Sequence, residues 1–376
     1  MLGLMATSAL AGAAGWGYHI TRPEVRFARG YAAAEAGDYV RAETYAEILK
    51  SSGELDRYRL LMAEISLRQK QPLKAIEYLQ AIPPDSPLST EAALMVARIS
   101  IGLRRPHEAA QAIAFVLQRN PDHVDAHRWL ATIFYDQGDL LRTIPHLEKV
   151  AELDPNDARP HRLLGLIYRD LEKLEEAVAA YRESLRRNPR PPDEDELRVE
   201  MAVCLIRLYR ETEAIDVVQG LNTPAAAALR AEAMLALGRE VEAVELLDRE
   251  LAKHPDYIGL LRLRGERYLH SGDAAKAIEI LERVVREAPH DLRSRNQLAR
   301  AYHVAGRTAD EEAQNREVKE LLDLIQRVHD KNIEAMADPW DAATRRELAD
   351  LCEKIHRPEL ARMWRRAAEA AERARR

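Results

Sequence analysis

Apolar residues recur along this chain at intervals of three and four, as in Leu130, Ile133, Phe134, Leu140 and Leu141. That interval gives an α-helix one buried face. The pattern is punctuated by glycines at 37, 138, 238, 272 and 306, each placed where a first helix must stop in a left-handed turn. Pro87, Pro121, Pro155, Pro189, Pro255 and Pro289 mark where a second helix cannot continue. The alternation predicts a chain of paired helices without strands.

The pairs repeat. Residues 124–157 lie over residues 158–191 without a gap, a period of 34 residues. Leu130 falls on Leu164, Ala131 on Gly165, Phe134 on Tyr168, Thr143 on Ala177, Leu147 on Tyr181 and Pro155 on Pro189. In this frame units begin at Pro23, Asp56, Thr90, Val124, Ala158, Asp195, Pro224, Ile258 and Leu292, with a degenerate one near Ala342. Position 8 is Gly or Ala in every unit, from Gly30 and Ala63 to Ala299 and Ala349. Position 20 is Ala throughout, except at Thr143 and Glu311.

A fixed period with these residue types marks a helical-repeat solenoid, and the chain resembles the tetratricopeptide repeat (TPR) family. The resemblance spans residues 23–325 and, more weakly, 342–372. It implies an all-α fold, an α-solenoid of antiparallel helix pairs wound as a right-handed superhelix. In that family positions 8 and 20 are where the two helices of a pair approach closest. A larger side chain there would overpack the contact at a cost of roughly 1–3 kcal/mol. The family also implies protein–protein binding in a concave groove lined by the first helices.

Departures from the frame divide the chain. Residues 1–21 form an apolar N-terminal segment whose first charge is Arg22. It reads as a membrane anchor with an aromatic edge at Trp16 and Tyr18, as a cleaved signal, or as an ordinary apolar leader. Membrane tethering on an unassigned side is the leading expectation; secretion after cleavage and a cytoplasmic location are the alternatives. Residues 22–325 hold about nine repeats, with an irregular stretch at 190–224 where Asp193 and Glu196 make a helix start. Residues 326–376 supply a long helix and a degenerate capping repeat.

Composition narrows the function. A net charge of −6 and a pI near 6.1 give no global basic field for nucleic acid. Cys204 and Cys352 stand on widely separated helices, which argues against a disulfide, and Cys204, beside Ala202 on an apolar stretch, reads as a small core residue. There is no phosphate-binding glycine loop, HExxH pair, GxSxG elbow or CxxC motif, so the expectation is a non-enzymatic chain without cofactor or metal. His123, His127 and His161 could be drawn as a metal site, but position 4, held by His127 and His161, is a packing slot in the family.

The groove remains. Positions 2, 5 and 9, which face it in the family, hold eight arginines in nine units, where overall composition gives about three. They also hold seven acids. Arg128, Arg159, Arg162 and Arg169 form the densest cluster, and Arg262, Arg293, Asn296 and Arg300 continue it. Arginine forks suit carboxylates, so an acidic peptide segment is the expected partner; an arginine-rich solvated face balanced by Asp125 and Asp170 is the alternative. The Lys and Asn pair of the chaperone-tail-binding members is missing from every unit, and that specificity is not carried over. The expected role is a scaffold for protein partners, with assembly of a membrane complex or a soluble adaptor as alternatives.

Overall fold

The computed structural model describes residues 22–188, 193–338 and 341–375. Among them are twenty helices and no strand. Contacts divide the chain into two compact units, Met1–Leu130 and Ala131–Arg376.

The first unit contains α1 (Pro23–Glu35) with α2 (Tyr39–Ser51), α3 (Leu55–Arg68) with α4 (Pro72–Gln80), and α5 (Ser89–Gly102) with α6 (Pro106–Arg119). The next pair, α7 (Val124–Asp136) with α8 (Leu140–Leu153), leads into the second unit. There the pairs are α9 (Arg159–Asp170) with α10 (Leu174–Arg187), α11 (Glu194–Arg207) with α12 (Glu211–Val217), and α13 (Pro224–Ala236) with α14 (Glu240–Lys253). They continue as α15 (Ile258–His270) with α16 (Ala274–Glu287) and α17 (Leu292–Val304) with α18 (Thr308–Ala337), and end in α19 (Ala342–Lys354) with α20 (Pro358–Arg375).

Core clusters join one pair to helices of the next. Tyr181 of α10, Leu205 of α11, Val218 at the end of α12 and Ala226 of α13 share one; Leu247 of α14 and Leu260 of α15 share another. Within each unit the core is therefore a ribbon, because no single pair can bury its own apolar face. First helices also touch the next first helix, as α1 does α3 and α13 does α15.

The position-8 rule has a direct steric cause. A methyl carbon placed on Gly30 would lie 2.5 Å from Leu61 Cδ2, one on Gly165 2.5 Å from Tyr181 Cε1, and one on Gly265 2.9 Å from Leu281. Position 20 is equally tight. Thr143 is accommodated because its buried hydroxyl donates to the Asp139 carbonyl at 2.8 Å. Glu311, on α18, accepts from His303 Nδ1 of α17 at 3.0 Å.

Position 15 is left-handed in all ten units, five times without glycine: Lys70, Arg104, Glu172, Tyr209 and His356 have φ between 55° and 60°. The turn is set by the pairing of the two helices, and the side chain tolerates it. The irregular stretch contains α12, only seven residues long, while residues 189–192 lie outside the described residues.

The membrane expectation is corrected. No helix among the described residues is long and apolar enough to cross a bilayer. The longest, α18, has thirty residues but carries charges throughout. The segment 1–21, on which an anchor was placed, lies outside the described residues. An N-terminal anchor, and the membrane contact that went with it, has no support.

Candidate functional site

The arginines singled out by sequence lie on first helices or at their starts, and the structure shows what each guanidinium touches. In the first unit Arg128 pairs with Asp125 one turn earlier at 2.9 Å. Arg57 joins Glu54 at 2.5 Å and, one repeat back, Glu24 at 2.9 Å.

In the second unit two kinds of arginine separate. Arg169, Arg262 and Arg293 are locked between repeats. Arg169 holds Asp170 at 2.7 Å and Glu200 on the next first helix. Arg262 reaches back to Glu232 at 3.3 Å. Arg293 grips Glu232, two repeats earlier, at 2.5 Å and Glu266 at 2.9 Å. Glu266 is 6% exposed, and burying an unpaired carboxylate would be costly, so this pair is structural. Burial opposes the charge on Arg169 and Arg293, but the surrounding carboxylates more than offset it and hold both pKa values above the usual arginine range.

Arg159 and Arg162 share one turn of a helix. They lie three residues apart on α9, with side chains 81% and 46% exposed. Arg159 makes a two-pronged contact with Asp157, both bonds 2.8 Å. Arg162 meets Asp193 at 2.5 Å. Asp193 was expected to cap α11; it precedes the helix, but its side chain makes no cap bond. Farther along, Asn296 Nδ2 donates to the Leu292 carbonyl at 2.9 Å, and Arg300 meets Gln297 at 3.5 Å.

What sequence reasoning missed was the set of carboxylates. The signal was present as opposite charges about one repeat apart: Arg57 with Glu24, Arg68 with Glu35, Arg169 with Glu200, Arg210 with Glu175. Side chains one period apart on equivalent helices are neighbours in a solenoid.

The remaining candidates resolve locally. The His123 ring accepts from the Ala126 amide at 3.2 Å at the start of α7, and a ring nitrogen of His127 lies 2.8 Å from the Pro121 carbonyl. His161 is partly buried, which lowers its pKa. No three His, Cys, Asp or Glu side chains among the described residues converge as metal ligands. Cys204 and Cys352 are free and buried, and burial pushes both thiols up to about 11.

Family models described as tetratricopeptide repeat match residues 94–158, 158–191 and 268–316. No curated protein sequence matches the chain. Solved structures resemble it at low identity. One is YrrB, described as a TPR protein with an unusual peptide-binding site, at 19% identity and TM-score 0.38, covering 50% of this chain and 97% of that one. A tetratricopeptide repeat protein from Parabacteroides merdae ATCC 43184 has 14% identity and TM-score 0.38, covering 66% of this chain and 99% of its own. The APC/C hetero-tetramer Cut9-Hcn1 shares 14% identity at TM-score 0.43, covering 94% of this chain and 76% of the matched one. The repeat period, the tight contacts at positions 8 and 20, and the three matching stretches identify the chain as a member of the tetratricopeptide repeat family.

Proposed function

We propose that the chain is a non-enzymatic scaffold whose second unit binds an extended acidic segment of a partner protein along its first helices, centred on Arg159 and Arg162. Tetratricopeptide repeats support a protein-interaction role. The observation that carries the finer reading is the contrast within the arginine set. Arg169 and Arg262, with side chains 27% and 19% exposed, are committed to carboxylates between repeats, whereas Arg159 is 81% exposed, and Arg162, although it meets Asp193 of the next repeat, is 46% exposed. Exposed ion pairs contribute about 0–1 kcal/mol, so an incoming carboxylate can share the exposed side of such a guanidinium at little cost while its own partner stays in place.

The test is binding of an array of acidic and basic peptides to the full chain and to an Arg159→Glu/Arg162→Glu variant of equal thermal stability. Acidic peptides should bind the parent and lose at least tenfold in affinity with the variant. Equal binding to both chains would remove the acidic-segment reading.

A further inference from the structure

The terminal pair α19–α20 does more than continue the array. It rests on the turn between α7 and α8, about two hundred residues earlier in sequence. A methyl carbon placed on Gly138 would lie 3.0 Å from Trp364 Cη2 and 3.6 Å from the Met363 methyl. Trp364 is 5% exposed and Arg345 2% exposed. Arg345 Nη2 donates to the Gln137 carbonyl at 3.5 Å; burial lowers its pKa, and Asp139 opposes that in part. Arg366 lies near Tyr135 and Asp136, and Tyr135 also feels Asp170 and Arg169. At the other end of the pair the His356 ring stacks on His290, centroids 6.2 Å apart.

Two features make this contact separable. The apolar core of the pair is closed within α18, α19 and α20: Ala335, Leu348, Ala349, Cys352, Ala361, Trp364 and Ala367. Of the helices before the pair, only the C-terminal part of α18 enters that cluster, through Val328 and Ala335. A unit with its own core and a thin outside contact opens without the rest unfolding. The charges also match, since Arg366 of α20 acts on Asp136 and Arg345 of α19 on Asp139 of the seat.

We propose that residues 135–139 form a second docking seat, occupied here by the chain's own C-terminal pair, and that it accepts a partner's basic helix carrying a tryptophan. Resting on the scaffold reading, the inference uses a different surface from Arg159 and Arg162. The pair then acts as an internal competitor that such a partner displaces.

Two measurements on the full chain test it. The first is fluorine NMR with fluorotryptophan, the Trp364 signal being assigned through Trp364→Phe. Gly138→Ala should move that signal to a solvent-exposed position. Gly238→Ala places the same methyl on an equivalent left-handed turn with nothing within 4 Å, and should leave it unchanged. The second is binding of a labelled peptide of residues 358–375. It should bind the Trp364→Ala chain at least tenfold more tightly than the parent, and the Arg159→Glu/Arg162→Glu substitutions should not alter that, so failure of the acidic-segment reading stays distinct. An unmoved Trp364 signal in Gly138→Ala, or equal peptide binding to parent and Trp364→Ala, would overturn the proposal. So would a dimer that exchanges its terminal pairs, because the seat would then belong to a second copy.

Discussion

Gly165 and Tyr181 fill one volume between them. The Tyr181 ring packs against Gly165, so that a methyl carbon there would meet Cε1 at 2.5 Å and Cδ1 at 2.6 Å. One repeat earlier the equivalent positions hold Ala131 and Leu147, a larger residue facing a smaller one. The helix spacing is kept while the volume is redistributed. Gly165→Ala should therefore destabilise by about 1–3 kcal/mol through overpacking, despite the better helix propensity of alanine. Adding Tyr181→Leu should recover much of that loss. Urea unfolding of both single variants and the double variant measures the coupling, and a coupling near zero would refute the shared-volume account.

Arg293 should matter more than its exposure suggests. It is the partner of buried Glu266 and also reaches Glu232. Arg293→Met should lower stability by about 1–2 kcal/mol, less than for a fully buried pair because the arginine itself is half exposed. Glu266→Gln in the same chain should restore part of it, since the uncompensated charge is then gone. Thermal melts of the three variants decide the matter.

Tyr209 is 86% exposed and left-handed, with φ 58°. Replacing it with glycine removes strain without removing a buried contact. A gain of about 0.5–1 kcal/mol is expected after the greater freedom of glycine in the unfolded chain is subtracted. A fall in melting temperature for Tyr209→Gly would show that this turn carries no strain.

Glu183 accepts hydrogen bonds from Arg186 and Arg187, which hold its pKa down at about 2 from an ordinary 4.5. A depressed carboxylate stabilises the fold above its unfolded pKa, and that contribution is lost as pH falls through the folded value. Glu183→Gln should therefore lower stability at neutral pH and flatten its decline between pH 4.5 and about 2. Stability measured across that window with parent and variant tests the sign.

Both cysteines should be silent toward thiol reagents at pH 8 in the native chain. Burial raises their thiols to about 11, so little thiolate is present and access is blocked. Release of both thiols on adding denaturant is the expected companion result. Rapid native labelling of Cys352 would show that α19 opens readily.

The repeat frame was legible because its signals are local or lie within one pair. Small residues at positions 8 and 20 follow from the closest approach of two helices sixteen or so residues apart, and the glycine turns follow from backbone conformation. Lys70, Arg104, Glu172, Tyr209 and His356 were not legible as left-handed, because there helix packing imposes what glycine elsewhere permits. The candidate face was legible as a set of residues and not as a set of pairs. Counting charges at positions 2, 5 and 9 located Arg159, Arg162 and Arg293 alike, and nothing in the count separated the exposed fork of Arg159 from the one that Arg293 commits to buried Glu266.

The amino-acid order alone thus determined an all-helical array, its register and the crowding at its helix contacts, since each depends on residues close in sequence or one period apart. Tertiary structure decided which carboxylate each arginine holds and where the C-terminal pair comes to rest. Those choices join groups such as Arg293 with Glu232 and Trp364 with Gly138. Their meeting is fixed by the accumulated geometry of several stacked repeats, which no local pattern of residues encodes.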